Sequence, residues 1–192
     1  MLIVFDGIDG AGKSTHLKLI SIWLKEKRYS FISRREPGGT YIAEQMRKIL
    51  INSKQDDLMQ LMLVSLARLS NTQSLENHEG LILFDRFSDS TYAYQKNIDK
   101  EVIDYMVNLT SKIKADFTFL FLNQYRQNVK NHLDEFSDTH YEQIKNTYIE
   151  RSKIEPEKYC IVQDDTKENQ LEFIKNKIKQ LINDNSKLIN IK

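Results

Sequence analysis

Residues 7–15 read GIDGAGKST, and Gly7, Gly12, Lys13 and Ser14 fit G-x-x-x-x-G-K-[ST] without a mismatch. The chemistry of such a loop is phosphate binding. Its glycines let backbone N–H groups converge on phosphate oxygens, and a helix starting at its end adds unpaired N–H groups and a positive dipole end. Gly7, Asp9, Gly10, Ala11, Gly12, Lys13, Ser14 and Thr15 are therefore the expected nucleotide-binding residues. Lys13 is placed to reach the β- and γ-phosphates, and Ser14 to ligate Mg²⁺. The motif serves GTPases, motors, transporters and small-molecule kinases alike, so it names a nucleotide and not a reaction.

Two further segments carry groups that a phosphate site needs: RREPGGTYIAEQMR at 34–47 and DRFSDSTYAYQ at 85–95. Arg47 and Arg86 suit bidentate phosphate recognition, whereas Asp85 is suited to organising Mg²⁺ through water. An Asp-Arg pair is also a common surface ion pair, so its meaning depends on where it stands.

The elements that must place these groups are legible as short apolar runs: LIVF (2–5), FIS (31–33), LILF (81–84), FTFLFL (117–122) and YCIV (159–162). Each is too short to span a membrane and too continuous for a half-exposed strand. Polar segments with helical spacing separate them: Leu17, Ile20 and Leu24; Ile42, Met46 and Ile49; Leu58, Leu61, Met62, Ser65 and Leu69. Strands alternating with helices imply right-handed crossovers and a parallel sheet covered on both faces. The expected fold is α/β, a three-layer sandwich around a five-stranded parallel sheet with P-loop NTPase topology. Strand ends of such a sheet open on one crevice, so Asp85, Arg86, Arg35 and Glu36 should converge on residues 7–14. The loop segments 34–47 and 85–95 then share the cradle's site.

With 192 residues and 40% hydrophobic content, the chain is expected to form a single domain over 1–192. Residues 183–192 read as a fraying tail. Against 28 basic side chains stand 27 acidic ones, so no global field recruits nucleic acid or an anionic membrane. No apolar run approaches a spanning helix, and Asp6 interrupts the N-terminal one too early for a signal peptide. A soluble, cytoplasmic protein is expected. The lone Cys160 reads as a buried residue of the YCIV strand, and His16, His78, His132 and His140 share no metal-binding spacing.

In GIDGAGKST, REPGGT, the isolated Arg68 and DRF-x-x-S-x-x-AYQ, the sequence resembles the thymidylate kinases, which move the γ-phosphate of ATP onto dTMP to give dTDP. The resemblance spans roughly residues 1–122. It implies that Asp9 holds the acceptor sugar 3′-hydroxyl and that Arg86 and Arg47 hold the dTMP phosphate. Arg68 and Gln95 would meet the thymine edge, Ser90 and Thr91 line its pocket, and Tyr94 pack under the deoxyribose where a 2′-hydroxyl would clash. Glu36 and Pro37 join the acceptor site, with a cis peptide between them. ATP and Mg²⁺ are the implied donor and metal, with Ser14 and Asp85 as metal-side residues. The likeness also implies a homodimer, for which 40–51, 56–77 and 99–114 offer apolar positions.

Two positions depart from that pattern. The family carries an aromatic ring one turn before the base-reading arginine, where this chain has Val64; Phe87 or Tyr41 are the rings that could substitute. Gly10 resembles the bacterial-type subgroup, whose catalytic arginines come from a lid, here about 123–150. That segment holds one arginine, Arg126. The expected catalytic set is therefore Lys13, Asp85, Arg86 and Arg126, with Lys130 and then Arg151 as further lid candidates. Competing readings are a kinase for another deoxynucleoside monophosphate, a deoxynucleoside kinase using Asp9, Glu36 or Asp85 as base, and a non-catalytic nucleotide binder.

Overall fold

The computed structural model describes residues 1–95, 97–123, 138–163 and 165–185. Each of the five apolar runs forms a strand: β1 (Leu2–Gly7), β2 (Phe31–Arg35), β3 (Leu81–Asp85), β4 (Phe117–Phe121) and β5 (Tyr159–Val162). They pair in parallel in the order β2-β3-β1-β4-β5, which puts β1 at the centre. β1 is buried along its whole length, as a continuous apolar strand between two helical layers must be.

Period-two alternation divides its side chains between two cores. Ile3 and Phe5 join Phe117, Phe119 and Phe121 of β4 under α1 (Lys13–Glu26) and α7 (Lys167–Asp184), which contribute Ile20, Trp23, Leu24, Ile174, Ile178 and Ile182. Leu2 and Val4 face the other way, with Ile82, Phe84, Leu75 and Phe87. There α3 (Asp57–Gln73) and α5 (Lys100–Thr110) pack on each other through Leu61, Ile103 and Val107. Each fully buried side chain of this size contributes roughly 1.5–3 kcal/mol relative to exposure, so the two cores dominate what holds the sheet. No helix among the described residues is long and apolar enough to cross a membrane.

Helix starts follow local chemistry. Thr40 caps α2 (Tyr41–Asn52) by accepting from the Ala43 N–H, and Asp56 caps α3 through the Met59 N–H at 2.7 Å. Each such cap is worth about 1 kcal/mol.

Four expectations change. The segment after Asp85, read as a loop, contains the short helix α4 (Ser88–Tyr94), whose seven residues are too few to show a periodic stripe. α7, which sequence reading did not single out, runs to Asp184, into the stretch expected to fray. Cys160 is half-buried, because β5 is an edge strand with Ile161 open to solvent. The apolar stripes of α2 and α3 split: Leu61 and Ser65 are buried, whereas Ile42, Ile49, Leu58 and Met62 are exposed.

Candidate active site

The carboxyl ends of four strands meet where expected. In register, Phe5 and Arg35 both lie opposite Asp85, and Gly7 lies opposite Phe121. Gly7 has φ 131°, and a Cβ there would sit 2.1 Å from the Phe121 carbonyl oxygen, so the backbone of β4 excludes any side chain. The Ile8 N–H donates to that same carbonyl at 3.0 Å. The cradle thus folds against β4 before it turns into α1.

Gly10 and Gly12 hold the positive φ values of the turn, Ala11 is buried, and Ser14 and Thr15 are exposed on the first turn of α1. Lys13 lies across the loop, with Nζ donating to the Ile8 carbonyl at 2.5 Å. Burial, aided by the nearby Arg86 charge, pulls its ammonium down to about 8, although Asp9, Asp6 and Asp85 work against the shift. The Ser14 hydroxyl donates to the Asp85 carboxylate. Two hard oxygens side by side at a cradle fit Mg²⁺, which takes one or two protein oxygens and completes its shell with phosphate and water. No cluster of three His, Cys, Asp or Glu side chains fit for a metal occurs among the described residues.

Arg86 opens the second half of the site. Its φ is 67°, a left-handed conformation that costs a non-glycine residue on the order of 1–3 kcal/mol and concentrates at functional positions. The strain aims its guanidinium back at the cradle. Nη1 donates to the Gly7 carbonyl at 3.0 Å, to Ser90 Oγ at 3.0 Å and to the Tyr148 hydroxyl at 3.3 Å. Nη2 donates to the Asp9 carboxylate and to the Tyr94 hydroxyl, which itself donates to Asp9 Oδ2 at 3.0 Å. Burial opposes ionisation of Asp9, but Arg86, Lys13 and Tyr94 outweigh it and hold the carboxyl below its ordinary range. Burial likewise works against the Arg86 charge, while Tyr94, Tyr148, Asp9 and Asp6 keep its pKa well above normal.

Two residues of this network were not foreseen. Asp6, fully buried, accepts through Oδ1 from the Gly7 N–H, Ser90 Oγ and the Tyr148 hydroxyl at 2.6–2.8 Å, and through Oδ2 from the Phe87 and Ser90 N–H groups at 3.2 Å. Its sequence signal was a charge inside the apolar run LIVFDG, visible but read only against a signal peptide. Tyr148, on α6 (Asp138–Ser152), lies 142 positions from Asp6 and carries no local signal.

The third part surrounds Arg68. Nε donates to Glu36 Oε2 at 3.0 Å, and Nη2 to Thr91 Oγ1 at 2.7 Å and to the Phe87 carbonyl at 3.3 Å. Both members of the pair are buried, and removing one partner of such a pair typically costs about 3–5 kcal/mol. Burial pushes the Glu36 carboxyl up to about 7 despite Arg68. Arg68 Nη1 and Glu36 Oε1 have no hydrogen-bond partner among the described residues, an arrangement that suits a polar ligand. The Glu36–Pro37 peptide is cis, as the resemblance implied, and Arg47 Nη1 donates to the Pro37 carbonyl at 3.1 Å. Gln95 is buried just beyond α4. Of the two substitute rings, Tyr41 is 80% exposed, while Phe87 lies 5.5 Å from the Arg68 guanidinium.

Not every expected residue joins the site. Arg35 forms a forked pair with Glu44 at 3.0 and 3.1 Å instead of meeting the cradle. Arg126 and Lys130 lie outside the described residues. Arg151 is bound to Asp89 at 2.9 Å.

The sequence pattern of the thymidylate kinase family matches residues 5–181. The thymidylate kinase of Thermosipho africanus is 35% identical over 173 residues, 80% of this chain and 85% of that protein. That of Thermosipho melanesiensis is 31% identical over 198 residues, 95% of this chain and 97% of its own length. A crystal structure of thymidylate kinase from Ehrlichia chaffeensis superposes with a TM-score of 0.74 at 27% identity, covering 94% of this chain and 98% of that one. The match runs through the cradle, the cis-proline loop and the strained arginine alike, and the chain belongs to the thymidylate kinase family.

Proposed function

We propose that this protein transfers the γ-phosphate of ATP to dTMP, giving dTDP. The observation that carries the reading is the division of one loop: Lys13 lies across the cradle, while Asp9 turns into the network of Arg86 and Tyr94. A single turn thereby borders a polyphosphate on one side and an anion with a hydroxyl-bearing ring on the other. Family membership supports the choice of dTMP.

On the donor side the loop amides and Lys13 bind the β- and γ-phosphates. Ser14 and Asp85 would hold Mg²⁺, which when bound neutralises charge building on the transferred phosphoryl oxygens. On the acceptor side Arg86 and Arg47 orient the dTMP phosphate, so that one of its oxygens faces the γ-phosphorus in line. Asp9 takes the 3′-hydroxyl, Tyr94 crowds the 2′ position, and Ser90 and Thr91 border the base pocket. Arg68 and Gln95 read the thymine edge, within the loop bounded by Glu36 and Pro37. The attacking phosphate is already anionic, so no side-chain base or covalent intermediate is needed, and the work is positioning and charge stabilisation. Arg126, in the expected lid, completes the catalytic set with Lys13, Asp85 and Arg86.

A coupled ATPase assay with dTMP, dUMP, dCMP, dGMP and thymidine tests the reading. Turnover highest on dTMP is expected; a preference for thymidine, or no turnover on any acceptor, would refute it. We further propose a single catalytic domain that acts in the cytoplasm as a homodimer. Exposed Ile42 and Ile49 on α2, with Leu58, Met62 and Leu66 at four-residue spacing on α3, support that face as the contact. Sedimentation at a monomer's mass under assay conditions would rule the dimer out.

A further inference from the structure

Asp89 is a buried carboxylate that the transfer chemistry leaves unassigned. It stands on α4 beside Ser90 and is 6% exposed. Its Oδ1 accepts from Arg151 Nε at 2.9 Å, and its Oδ2 accepts from the Tyr159 hydroxyl of β5 at 2.8 Å. The Arg151 guanidinium also lies over the Tyr92 ring, 3.8 Å from its centroid. One carboxylate thus ties together α4, α6 and β5.

What the tie controls follows from the helix that carries it. Arg151 lies three residues beyond Tyr148 on α6, on the same face. The two helices therefore meet at two points: Arg151 with Asp89, and the Tyr148 hydroxyl with Ser90 Oγ at 2.9 Å. The second point belongs to the site, since the Tyr148 hydroxyl donates to Asp6 at 2.7 Å and accepts from Arg86 at 3.3 Å. The body of α6 is seated on the main core through Ile144, Tyr148 and the partly buried Ile149. Its buried hydrophobics among the described side chains, Ile144 and Tyr148, both precede the last turn, which carries Arg151. Beside the Asp89–Arg151 pair lies a cavity of 240 Å³ with Val4, Val107 and Thr118 among its lining residues, so close packing does not wedge the end of the helix on that side.

We propose that Asp89 and Arg151 are positioning residues: their ion pair sets α6 so that the Tyr148 hydroxyl completes the Asp6, Ser90 and Arg86 network, and so holds Arg86 in the pose that receives the acceptor phosphate. The inference rests on the dTMP kinase reading above. Neither residue touches substrate; both act through Tyr148.

The test uses the full chain with Arg151→Ala, Arg151→Lys, Asp89→Asn and Tyr148→Phe, each assayed beside the unmodified protein. Arg151→Ala is expected to raise the KM for dTMP about tenfold and to lower kcat several-fold, the scale of a displaced positioning group, with the KM for ATP unchanged. Arg151→Lys, which keeps the charge, should recover most of the dTMP KM. Adding Tyr148→Phe to Arg151→Ala should cost little more, because both changes act through one path. A lower kcat with both KM values unchanged is what a smaller folded fraction gives, and would overturn the proposal.

Amide hydrogen exchange over 86–95 is read in the same proteins without dTMP. Arg151→Ala should accelerate it there by at least about tenfold while β1 stays protected. If the unmodified chain fails to phosphorylate dTMP, the functional reading falls separately. Unaltered exchange over 86–95 would overturn the positioning role on its own.

Discussion

The two halves of the site are built from different materials. On the proposed donor side, the cradle relies on backbone shape: Gly7 is pressed against β4, Gly10 and Gly12 hold left-handed turns, and one ammonium lies across the loop. The proposed acceptor side relies mainly on side chains bonded to one another, with Arg86 donating to Asp9, Ser90, Tyr94 and Tyr148 and to the Gly7 carbonyl. A backbone cradle is ready before its ligand comes. In the proposed reaction the side-chain network exchanges an internal partner for a phosphate oxygen, so its selectivity would lie in what it gives up as well as in what it gains.

This contrast is sharpest in the loss of one cation from each side. Lys13→Ala and Arg86→Ala are each expected to lower turnover by at least ~10²-fold, the scale of a lost electrostatic stabiliser. They should differ in binding: Lys13→Ala raises the KM for ATP, Arg86→Ala that for dTMP. Steady-state kinetics with each substrate varied in turn checks both, and a near-normal rate in either variant breaks the assignment of that side.

Protons separate the halves next. Burial pulls the Lys13 ammonium down to about 8, whereas Arg86 is held well above the ordinary range. Polyphosphate favours the charged lysine and raises its pKa, so above pH 8 ATP binding takes up a proton. ATP affinity should weaken by up to about tenfold per pH unit from pH 8 upward, and dTMP affinity should show no matching slope. Calorimetry in two buffers of different ionisation enthalpy measures the uptake; a flat ATP profile across pH 7–9.5 would contradict the buried state of Lys13.

The smallest effect concerns the base end. Val64 is half-buried one turn before Arg68, and the Phe87 ring centroid lies 5.5 Å from that arginine's guanidinium. Val64→Phe should add a stacking surface worth about 1 kcal/mol, lowering the KM for dTMP roughly fivefold and leaving that for ATP alone. An unchanged dTMP KM would show that Phe87 already meets the need or that the ring does not reach the base.

The sequence was most informative where backbone geometry does the work. GIDGAGKST and the five apolar runs were legible because glycine spacing and strand length are local properties, and each run proved to be a strand. The acceptor network was half legible. Arg86, Ser90 and Tyr94 stood in a quotable motif and Arg68 entered through the resemblance, whereas Asp6 showed only as a charge in an apolar run and its partner Tyr148 stands 142 positions away, a contact that no local pattern encodes. Arg35 was misplaced for a related reason: register brings its backbone beside Asp85, yet Glu44 offers the side chain a fork to bind outside the cradle. The exposed stripes of α2 and α3 have the same periodicity as buried ones, so spacing alone could not say which faced solvent.

The contact between Gly7 and the Phe121 carbonyl also bears on the order in which the protein can come into being. The phosphate loop is made more than a hundred residues before its supporting wall. Until β4 has emerged and docked, the glycines have nothing to press against and the Ile8 N–H has no acceptor. Nucleotide is thus a ligand for a chain that already includes β4 and offers little to a shorter one, whose early fold must rest on apolar collapse.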